Sequence, residues 1–151
     1  MLGRSKQLYK AIYQKGLTSF VDLTTVTQDL RKELDNVLSL DLPKIVKTEV
    51  ADDKTIKWLL ELNDTNKNLI EVVLIPSKTH NTICVSVQVG CAMSKNSACI
   101  HCATGTQLLV KNLSASEIVM QMMIAKRHLN DFSLAPPLRL TVTINPAFLT
   151  I

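Results

Sequence analysis

Aromatic residues are scarce in this 151-residue chain, at 4% of the composition, and there are only four cysteines. The shortage of aromatic side chains leaves the hydrophobic core to leucine, isoleucine, valine and methionine. No apolar run approaches the roughly 18 residues of a membrane helix, so the sequence predicts no membrane span. The formal net charge is only +4, with acidic and basic residues interspersed. This excludes the dense basic stripe that would by itself indicate a nucleic-acid partner.

The amino terminus lacks the features of a secretion signal. The opening stretch MLGRSKQLYKAIYQKG contains neither a continuous apolar segment nor a small-residue cleavage site. We therefore expect a cytoplasmic protein with the size of one domain, or of a small domain and part of another. In a reducing cytoplasm, clustered cysteines indicate metal ligands or reactive thiols more than structural disulfides.

Helix-type and strand-type patterns occupy different parts of the chain, which predicts an α+β fold. Residues 1–43 are predicted to form a helical unit. Residues 44–151 are predicted to form antiparallel strands or hairpins, followed by a strand–loop–helix–strand unit. That last unit is a βαβ pattern, with which a parallel sheet or a barrel begins.

The helical unit begins with a predicted helix over residues 4–15, for which Gly16 provides the carboxy-terminal cap. One or two more helices are predicted over residues 17–40, with a capping box formed by Thr25 and Gln28. The apolar stripe of this second segment consists of Leu30, Leu34, Val37 and Leu38.

Short β-type runs separated by turn sequences follow the helical unit. These runs cover residues 45–50, 55–62, 69–75 and 82–89. Further along, a capping box of Ser114 and Glu117 begins a predicted amphipathic helix that ends at about Leu129. Residues 138–144 then alternate between apolar and polar side chains, as a strand does. Trp58 is predicted to be a core residue.

Three of the four cysteines lie in one loop of small residues: Cys91, Cys99 and Cys102, with His101 between the last two. Three thiolates from one loop can hold an iron–sulfur cluster with one iron left open to a small molecule. A structural zinc site would need a fourth ligand, for which His101 or His80 is a candidate. The third alternative is a set of free, partly buried thiols, because a C-x-x-C spacing also arises by chance. The spacing alone leaves all three open.

Four motifs in a fixed order resemble one family of enzymes. They are EVVLIP at 71–76, ICVSVQVGC at 83–91, CIHCATGTQ at 99–107 and KNLSASEIV at 111–119. Together they resemble the radical-SAM RNA methyltransferases that modify the 2-carbon of adenine in ribosomal and transfer RNA, the RlmN family. The resemblance extends from about Gly3 to about Leu140, nearly the whole chain.

The resemblance implies the cofactors of the protein. In that family, three cysteines bind a 4Fe-4S cluster whose open iron chelates S-adenosylmethionine, and Cys91, Cys99 and Cys102 match those three positions. An electron donor reduces the cluster, which cleaves the cofactor to a 5′-deoxyadenosyl radical that the protein positions. No residue of this chain is assigned to binding S-adenosylmethionine itself.

The resemblance also implies ribosomal RNA and transfer RNA as partners. The helical unit of the family helps to dock structured RNA, and basic side chains could meet its phosphates here. The same side chains are equally well explained as the solvated faces of amphipathic helices. The candidates are Lys6, Lys10, Lys15, Arg31 and Lys32.

Two further residues match functional positions of the family. Glu71 matches a carboxylate that accepts a proton and helps to release the product. Cys84 matches a cysteine that forms a transient disulfide with a methyl-carrying cysteine near the carboxy terminus. Without the resemblance, Glu71 is more simply an exposed strand residue, and Cys84 a small buried side chain on a strand.

The sequence departs from the family pattern in two places. Seven residues, 92–98, separate Cys91 from Cys99, where the family has three. After about Leu140 the resemblance stops, before the segment that holds the cofactor's amino group and before the methyl-carrying cysteine. We therefore expect an amino-terminal fragment with an incomplete radical-SAM barrel, inactive by itself. The alternatives are a non-catalytic RNA-binding module and a small zinc-binding protein.

Overall fold

The computed structural model describes residues 3–78, 80–92, 107–130, 132 and 139–142. Within these residues the chain forms three α-helices, a five-stranded sheet and a two-stranded sheet. The predicted α+β class is therefore confirmed. No helix in this described part is long and apolar enough to cross a membrane.

Helix α1, Arg4–Lys15, has the bounds that the sequence predicts. Gly16 ends the helix in the left-handed conformation, with φ of 68°, and its N–H donates to the carbonyl of Ala11. Glycine adopts this conformation without a Cβ clash, which explains why the helix stops at this residue.

The second helical segment consists of a 3₁₀ turn, Phe20–Asp22, and helix α2, Gln28–Val37. The predicted capping box that begins at Thr25 is wrong. Thr25 lies in a turn before the helix, and Thr27 occupies the N-cap position without a side-chain hydrogen bond to the helix. Helix α2 therefore begins at Gln28, which the predicted capping box places inside the first turn of the helix.

The apolar stripe predicted for α2 is only partly covered. Leu30 and Leu34 are half-buried, but Val37 is 77% exposed and Leu38 46% exposed. None of the residues of α2, all of which the structure describes, is buried. The spacing thus predicted the helix correctly but overstated how much of its apolar face is covered.

Arg31 attaches α2 to the preceding turn. Its Nε donates to the carbonyl of Val26 at 3.1 Å, and its Nη1 donates to the carbonyl of Val21 at 3.2 Å. A guanidinium has five N–H donors, so these two bonds use only part of its capacity. Arg31, one of the predicted phosphate contacts, therefore also has a structural role.

The strands follow the helical segments in chain order. They are β1 Lys44–Val50, β2 Ile56–Glu61, β3 Leu69–Ile75, β4 Thr82–Val85, β5 Gln88–Val89, β6 Lys111–Asn112 and β7 Arg139–Val142. Helix α3, Ala115–Leu129, lies between β6 and β7. The main sheet has the order β1-β2-β3-β4-β7 and is antiparallel except for the parallel pair of β4 and β7. The small sheet is the antiparallel pair of β5 and β6.

The sequence prediction for this region is confirmed with two differences, of which one is the short strand β6, which the sequence does not predict. The predicted runs are strands, the capping box of Ser114 and Glu117 is present, and β4, α3 and β7 form a βαβ unit with parallel strands. The run predicted over 82–89 is broken at Ser86 and Val87, so that β4 belongs to the main sheet and β5 to the small one. The break directs the chain out of the main sheet and towards the cysteine-bearing segment.

The main core lies between the sheet and α3. Ile124 and Ala125 of α3 pack against alternate residues of the central strands. Fully burying an isoleucine, leucine or valine side chain stabilises the fold by about 1.5–3 kcal/mol. Trp58 is buried in this core, as predicted. The strand residues of the core are Trp58, Leu60, Ile70, Val72, Leu74, Ile83 and Val85 of the main sheet and Val89 of β5.

Ala11, Phe20 and Leu23 of the helical unit are buried, and none of them belongs to the main core cluster. Hydrogen bonds link this unit to the rest of the molecule: Lys126 Nζ of α3 donates to the carbonyl of Tyr13 at 3.4 Å, and Asn63 Nδ2 donates to the carbonyl of Asp41 at 3.1 Å. Leu42 also packs against the main core. The division of the chain at residue 43 stays a prediction.

Candidate functional site

Glu71 and Cys84 lie on one face of the main sheet. Because side chains alternate along a strand, the residues between the core positions of β3 and β4 point away from α3. Val73 lies opposite Cys84 in the register, and Glu71 is two residues from Val73 along β3. The Cα atoms of diagonal neighbours of this kind are roughly 7–8 Å apart, and their Cβ atoms are somewhat closer. The structure therefore brings together the predicted proton acceptor and the predicted redox thiol.

Glu71 lines a shallow cleft of about 150 Å³ on this face, with Lys47, Glu49, Lys57 and Leu59. The ammonium of Lys57 lies between two carboxylates, with its Nζ 2.9 Å from Glu49 Oε2 and 3.7 Å from Glu71 Oε1. Lys47 pairs with the other oxygen of Glu49. The charges thus alternate in sign from β1 across β2 to β3, an arrangement that stabilises cross-strand pairing.

The ion pairs shift the ionisation of the two central groups. Hydrogen bonds from Lys47 and then from Lys57 lower the pKa of Glu49 to about 2. The hydrogen bond to Glu49, and then the charge of Glu71, raise the pKa of Lys57 although its burial opposes this. Lys57 is therefore a cation throughout the neutral range. Glu71 has a permanent positive charge on one side and the buried Cys84 on the other.

A buried pair of hydrogen bonds holds the main chain of Ser86, two residues after Cys84. Gln121 of α3, which is 0% exposed, accepts from the N–H of Ser86 at 2.8 Å and donates to the carbonyl of Ser86 at 2.9 Å. The same amide nitrogen donates to the carbonyl of Glu117 at 3.1 Å. The hydroxyl of Ser86 donates to the main-chain oxygen of Glu71 at 2.8 Å. All donors and the acceptor of the Gln121 side chain are satisfied, as burial requires.

Cys91 lies at the base of the predicted cysteine loop and is buried. Its N–H donates to the carbonyl of Gln107 at 3.2 Å, and it forms a β-bridge with Leu108. The connection between these two points carries Cys99 and Cys102, which lie outside the described residues. The two ends of this connection are therefore held together by backbone hydrogen bonding.

Gly90 allows the two ends to approach each other. It has φ of 74°, in the left-handed region that favours glycine. A Cβ at this position would lie 2.0 Å from the carbonyl oxygen of Leu108, which is a backbone atom. Next to this contact, the N–H of Val110 donates to the carbonyl of Val89 at 2.9 Å. The closure of the cysteine-bearing connection thus depends on the absence of a side chain at residue 90.

Lys111 joins three elements near the start of α3. Its Nζ is 2.7 Å from Glu117 Oε1 and 3.0 Å from Asp64 Oδ2, so β6 is tied both to α3 and to the turn between β2 and β3. Hydrogen bonds from the side chain and the N–H of Asn68, and then from Lys111, lower the pKa of Asp64 to about 2. The hydrogen bonds to Glu117 and Asp64 raise the pKa of Lys111. The three groups are therefore charged at neutral pH.

We expect the carboxylate of Asp64 to make stability fall in acid. Its pKa is about 2 in the folded state against an ordinary 3.8, so its contribution is complete above the higher value and is lost as the pH falls through the lower one. The wild type should exceed Asp64→Asn in melting temperature by a few degrees at about pH 5, and this difference should shrink towards about pH 2. Thermal melts followed by circular dichroism measure it. Asp52→Asn, in the exposed turn after β1, is the control, and a pH-independent difference for Asp64→Asn would contradict the prediction.

The predicted metal ligands can be placed only in part. Cys99, Cys102 and His101 lie outside the described residues, and His80, the other candidate histidine, is half-buried. Among the described residues, no group of three or more histidine, cysteine or acidic side chains is placed to hold a metal ion. The complete ligand set therefore stays a prediction, of which the structure places Cys91.

Sequence reasoning missed three residues of this region: Gln121, Lys57 and Lys111. Gln121 lies in the apolar stretch VMQMMIA, and a polar side chain in such a stretch is the signal by which it could have been found, since a buried amide needs partners. Lys57 has its partners on β1 and β3, and Lys111 has its partners on α3 and in the turn after β2, so their spacing in the sequence carries no signal.

The chain is similar in sequence to curated RNA methyltransferases. It is 42% identical over 134 residues to the dual-specificity RNA methyltransferase RlmN of Nitrobacter winogradskyi. The aligned region covers 86% of this chain and 33% of that protein. It is 42% identical over 128 residues to RlmN of Vesicomyosocius okutanii, with 85% and 34% covered. The chain thus spans about a third of the length of the curated relatives it matches. No family model matches the chain.

The chain is also similar to a solved structure. A radical SAM methyltransferase from Sphaerobacter thermophilus superposes with a TM-score of 0.74 at 31% sequence identity, over 92% of this chain and 38% of that one. The resemblance carried by the four sequence motifs is therefore confirmed in both sequence and fold.

Proposed function

We propose that this chain is the part of an RlmN-type dual-specificity RNA methyltransferase that carries the cluster-binding cysteines and the proton acceptor. The enzyme would methylate the 2-carbon of adenine in large-subunit ribosomal RNA and in transfer RNA, with S-adenosylmethionine and a 4Fe-4S cluster as cofactors. The similarity to relatives of that name and to a radical SAM methyltransferase structure supports this proposal.

The observation that carries the proposal is the closure of the chain at Cys91. The hydrogen bond from its N–H to the carbonyl of Gln107 brings together the two ends of the connection that contains Cys99 and Cys102. A cluster site needs its sulfur atoms to converge, and fixed ends keep Cys99 and Cys102 on a connection that starts and ends beside Cys91. The seven residues between Cys91 and Cys99 are therefore compatible with a shared site, since a longer loop adds little closure entropy.

The donor set fits a 4Fe-4S cluster. Iron–sulfur clusters are held by cysteine thiolates, and three of them leave one iron open. Cys91, which is buried at the base of the connection, would hold the cluster with Cys99 and Cys102. When bound and reduced, the cluster would supply the electron that cleaves S-adenosylmethionine. An electron donor is therefore a proposed partner.

Glu71 and Cys84 would act on the RNA side of the reaction. Glu71, beside the cation of Lys57, would accept a proton from the methylated adenine during product release. Cys84, buried on the same face of the sheet, would form a transient disulfide with a methyl-carrying cysteine, the new S–S bond replacing that sulfur's bond to the transferred carbon. The register of β3 and β4 supports this division of roles, because it places the two side chains within reach of one substrate.

The βαβ unit would be the beginning of a radical-SAM barrel. β4 and β7 are parallel and joined by α3, which packs on one face of the sheet and leaves Glu71 and Cys84 on the other. In a barrel, helices lie outside and the opposite face of the sheet lines the interior. The proposed proton acceptor and thiol would therefore line the interior of the barrel.

Two alternatives have support in the same residues. The basic side chains of α1 and α2 support a non-catalytic RNA-binding module. Three cysteines with His80 or His101 as the fourth ligand support a small zinc-binding protein. The amount and the identity of the bound metal separate both alternatives from the methyltransferase.

Anaerobic loading with ferrous iron and sulfide tests the proposal. We expect the wild-type chain to turn brown and to bind iron and sulfide in the ratio of a 4Fe-4S cluster. Cys91→Ser, Cys99→Ser and Cys102→Ser should each lose most of the visible absorption. Cys84→Ser, which changes a buried thiol outside the proposed ligand set, should load like the wild type. Visible spectra and metal analysis of desalted samples give the result.

Each other outcome points elsewhere. Stoichiometric zinc without iron would favour the zinc-binding protein. A colourless, metal-free but folded chain would overturn the cluster and leave the RNA-binding module. Equal loss of colour in Cys84→Ser and Cys91→Ser would contradict the ligand set.

A further inference from the structure

We infer that Gln121 is a positioning residue that sets the path of the chain from Cys84 to Cys91 through the main chain of Ser86. The inference rests on the proposed function, in which Cys84 is the redox thiol and Cys91 a cluster ligand. It adds to that function a residue on the opposite side of the sheet that touches neither the cofactor nor the substrate.

Ser86 is the point at which the chain leaves the main sheet. It follows the last residue of β4 and precedes the two-residue strand β5. A continuing strand would pair its N–H and carbonyl with a neighbouring strand, since each backbone group needs a partner when buried. Here the side-chain amide of Gln121 takes both groups, at 2.8 and 2.9 Å. Gln121 therefore replaces a strand as the pairing partner at this residue.

The contact is fixed from both sides. The amide of Gln121 is held on α3 by its bond to the carbonyl of Glu117 at 3.1 Å. The hydroxyl of Ser86 is held on β3 by its bond to the main-chain oxygen of Glu71 at 2.8 Å. Ser86 is 3% exposed and Gln121 0% exposed, so water cannot substitute for either partner without opening the structure.

The turn at Ser86 determines where the small sheet begins. The carbonyl of Val87 accepts from Leu113 N–H at 2.9 Å, and the pairing then continues to the bridge between Cys91 and Leu108. A change in direction at Ser86 would therefore be carried along five residues to Cys91. Cys84, in contrast, is held by the register of β3, β4 and β7.

The test compares the accessibility of the two described cysteines. Gln121→Leu keeps nearly the same volume but can make none of the hydrogen bonds. We expect Cys91 to react with iodoacetamide at least about tenfold faster than in the wild type, because two buried backbone bonds are lost. The reaction of Cys84 should be unchanged. Mass spectrometry of the digested full chain gives both rates from one sample.

Ser86→Ala is the matched control, because Gln121 contacts only the main chain of Ser86. It should label Cys91 much more slowly than Gln121→Leu does, because it keeps both main-chain bonds to Gln121 and loses only the hydroxyl bond to Glu71. Unchanged labelling of Cys91 in folded Gln121→Leu would overturn the inference. So would an equal acceleration at Cys84 and Cys91, which indicates a general loss of stability.

A second measurement decides the matter if Gln121→Leu does not fold. In wild-type hydrogen exchange, the amide of Ser86 should be protected to the same order as the amides of β3, although its acceptor is a side chain. Fast exchange at Ser86 would overturn the inference. The labelling and the hydrogen exchange need no iron. Either can therefore overturn the inference in a chain that binds a cluster, or support it in a chain that binds none.

The consequence for the cluster is a third readout. If both the inference and the proposed function hold, Gln121→Leu should bind several-fold less iron than Ser86→Ala at equal protein concentration. Equal iron contents in the two variants, with a loaded wild type, would overturn the positioning role and leave the proposed function intact.

Discussion

Gly90→Ala is expected to open the base of the cysteine-bearing connection and to lower the free energy of unfolding by about 3 kcal/mol or more. Alanine at φ of 74° is strained by itself. The larger effect is steric, because the new Cβ would lie 2.0 Å from the oxygen and 2.9 Å from the carbonyl carbon of Leu108. These are backbone atoms, so no side-chain rotation relieves the overlap. The chain must separate there.

Separation would break the hydrogen bonds on both sides of Gly90. The N–H of Cys91 would lose the carbonyl of Gln107, and the N–H of Val110 would lose the carbonyl of Val89. Each is worth about 1 kcal/mol net. If the cluster proposal is correct, Gly90→Ala should also load little iron, although all cysteines are present.

Urea unfolding followed by circular dichroism measures this effect, with Gly3→Ala as the control. Within 4 Å, a Cβ at Gly3 would have one neighbour, the hydroxyl of Ser5 at 3.9 Å, so that variant should lose only the small difference between glycine and alanine at the N-cap of α1. A Gly90→Ala protein as stable as Gly3→Ala would show that the connection closes in another way.

The elements that sequence predicts well are those whose signals are local. Helix α1 ends at Gly16 because one residue can adopt a left-handed cap, and α3 begins at a capping box within four residues. β3 has the predicted bounds because a short apolar run is flanked by turn residues. In each case the physical cause lies inside the segment, so one sequence is sufficient.

The break between β4 and β5 has its cause elsewhere. Val85 to Val89 alternates like a continuous strand, and nothing in it predicts that the pairing ends at Ser86. The cause is Gln121, which is 35 residues further along the chain and takes over the backbone bonds of Ser86. A contact at that separation is decided by packing of the whole fold, which local periodicity does not contain.

The candidate site divides in the same way. Spacing predicts that the cysteines form a group, but it does not distinguish iron from zinc or from free thiols. The pairing of Glu71 with Lys57 depends on the register of β2 and β3, in which Glu71 lies opposite Leu59. The roles of Glu71 and Cys84 came from the family resemblance, and the sheet register then placed both on one face.

Phe20→Ala is expected to unfold the helical unit of residues 1–43 while the main sheet stays folded. Phe20 is 1% exposed and is the largest of the buried side chains in this unit, which include Ala11 and Leu23. Replacing a buried phenylalanine by alanine lowers the free energy of unfolding by about 3–5 kcal/mol. A unit of about 40 residues rarely has that much stability of its own. The main core does not include Phe20, so the sheet should keep its packing.

The only tryptophan of the chain makes this separation measurable. Trp58 is 2% exposed in the core between the sheet and α3, so its emission reports the main sheet. Phe20→Ala should lose far-ultraviolet helical signal, while Trp58 keeps its native emission and unfolds in urea at nearly the wild-type midpoint. Val21→Ala, a truncation at the neighbouring residue that is 63% exposed, should change neither signal.

Loss of the native Trp58 emission together with the helical signal would contradict the division at residue 43. The hydrogen bond from Lys126 to the carbonyl of Tyr13 would then belong to a larger interface on which α3 depends. If the two signals separate, the helical unit is an independent module attached to the sheet. The sheet, with Glu71 and Cys84 on one face, would then keep its geometry whatever the helices bind.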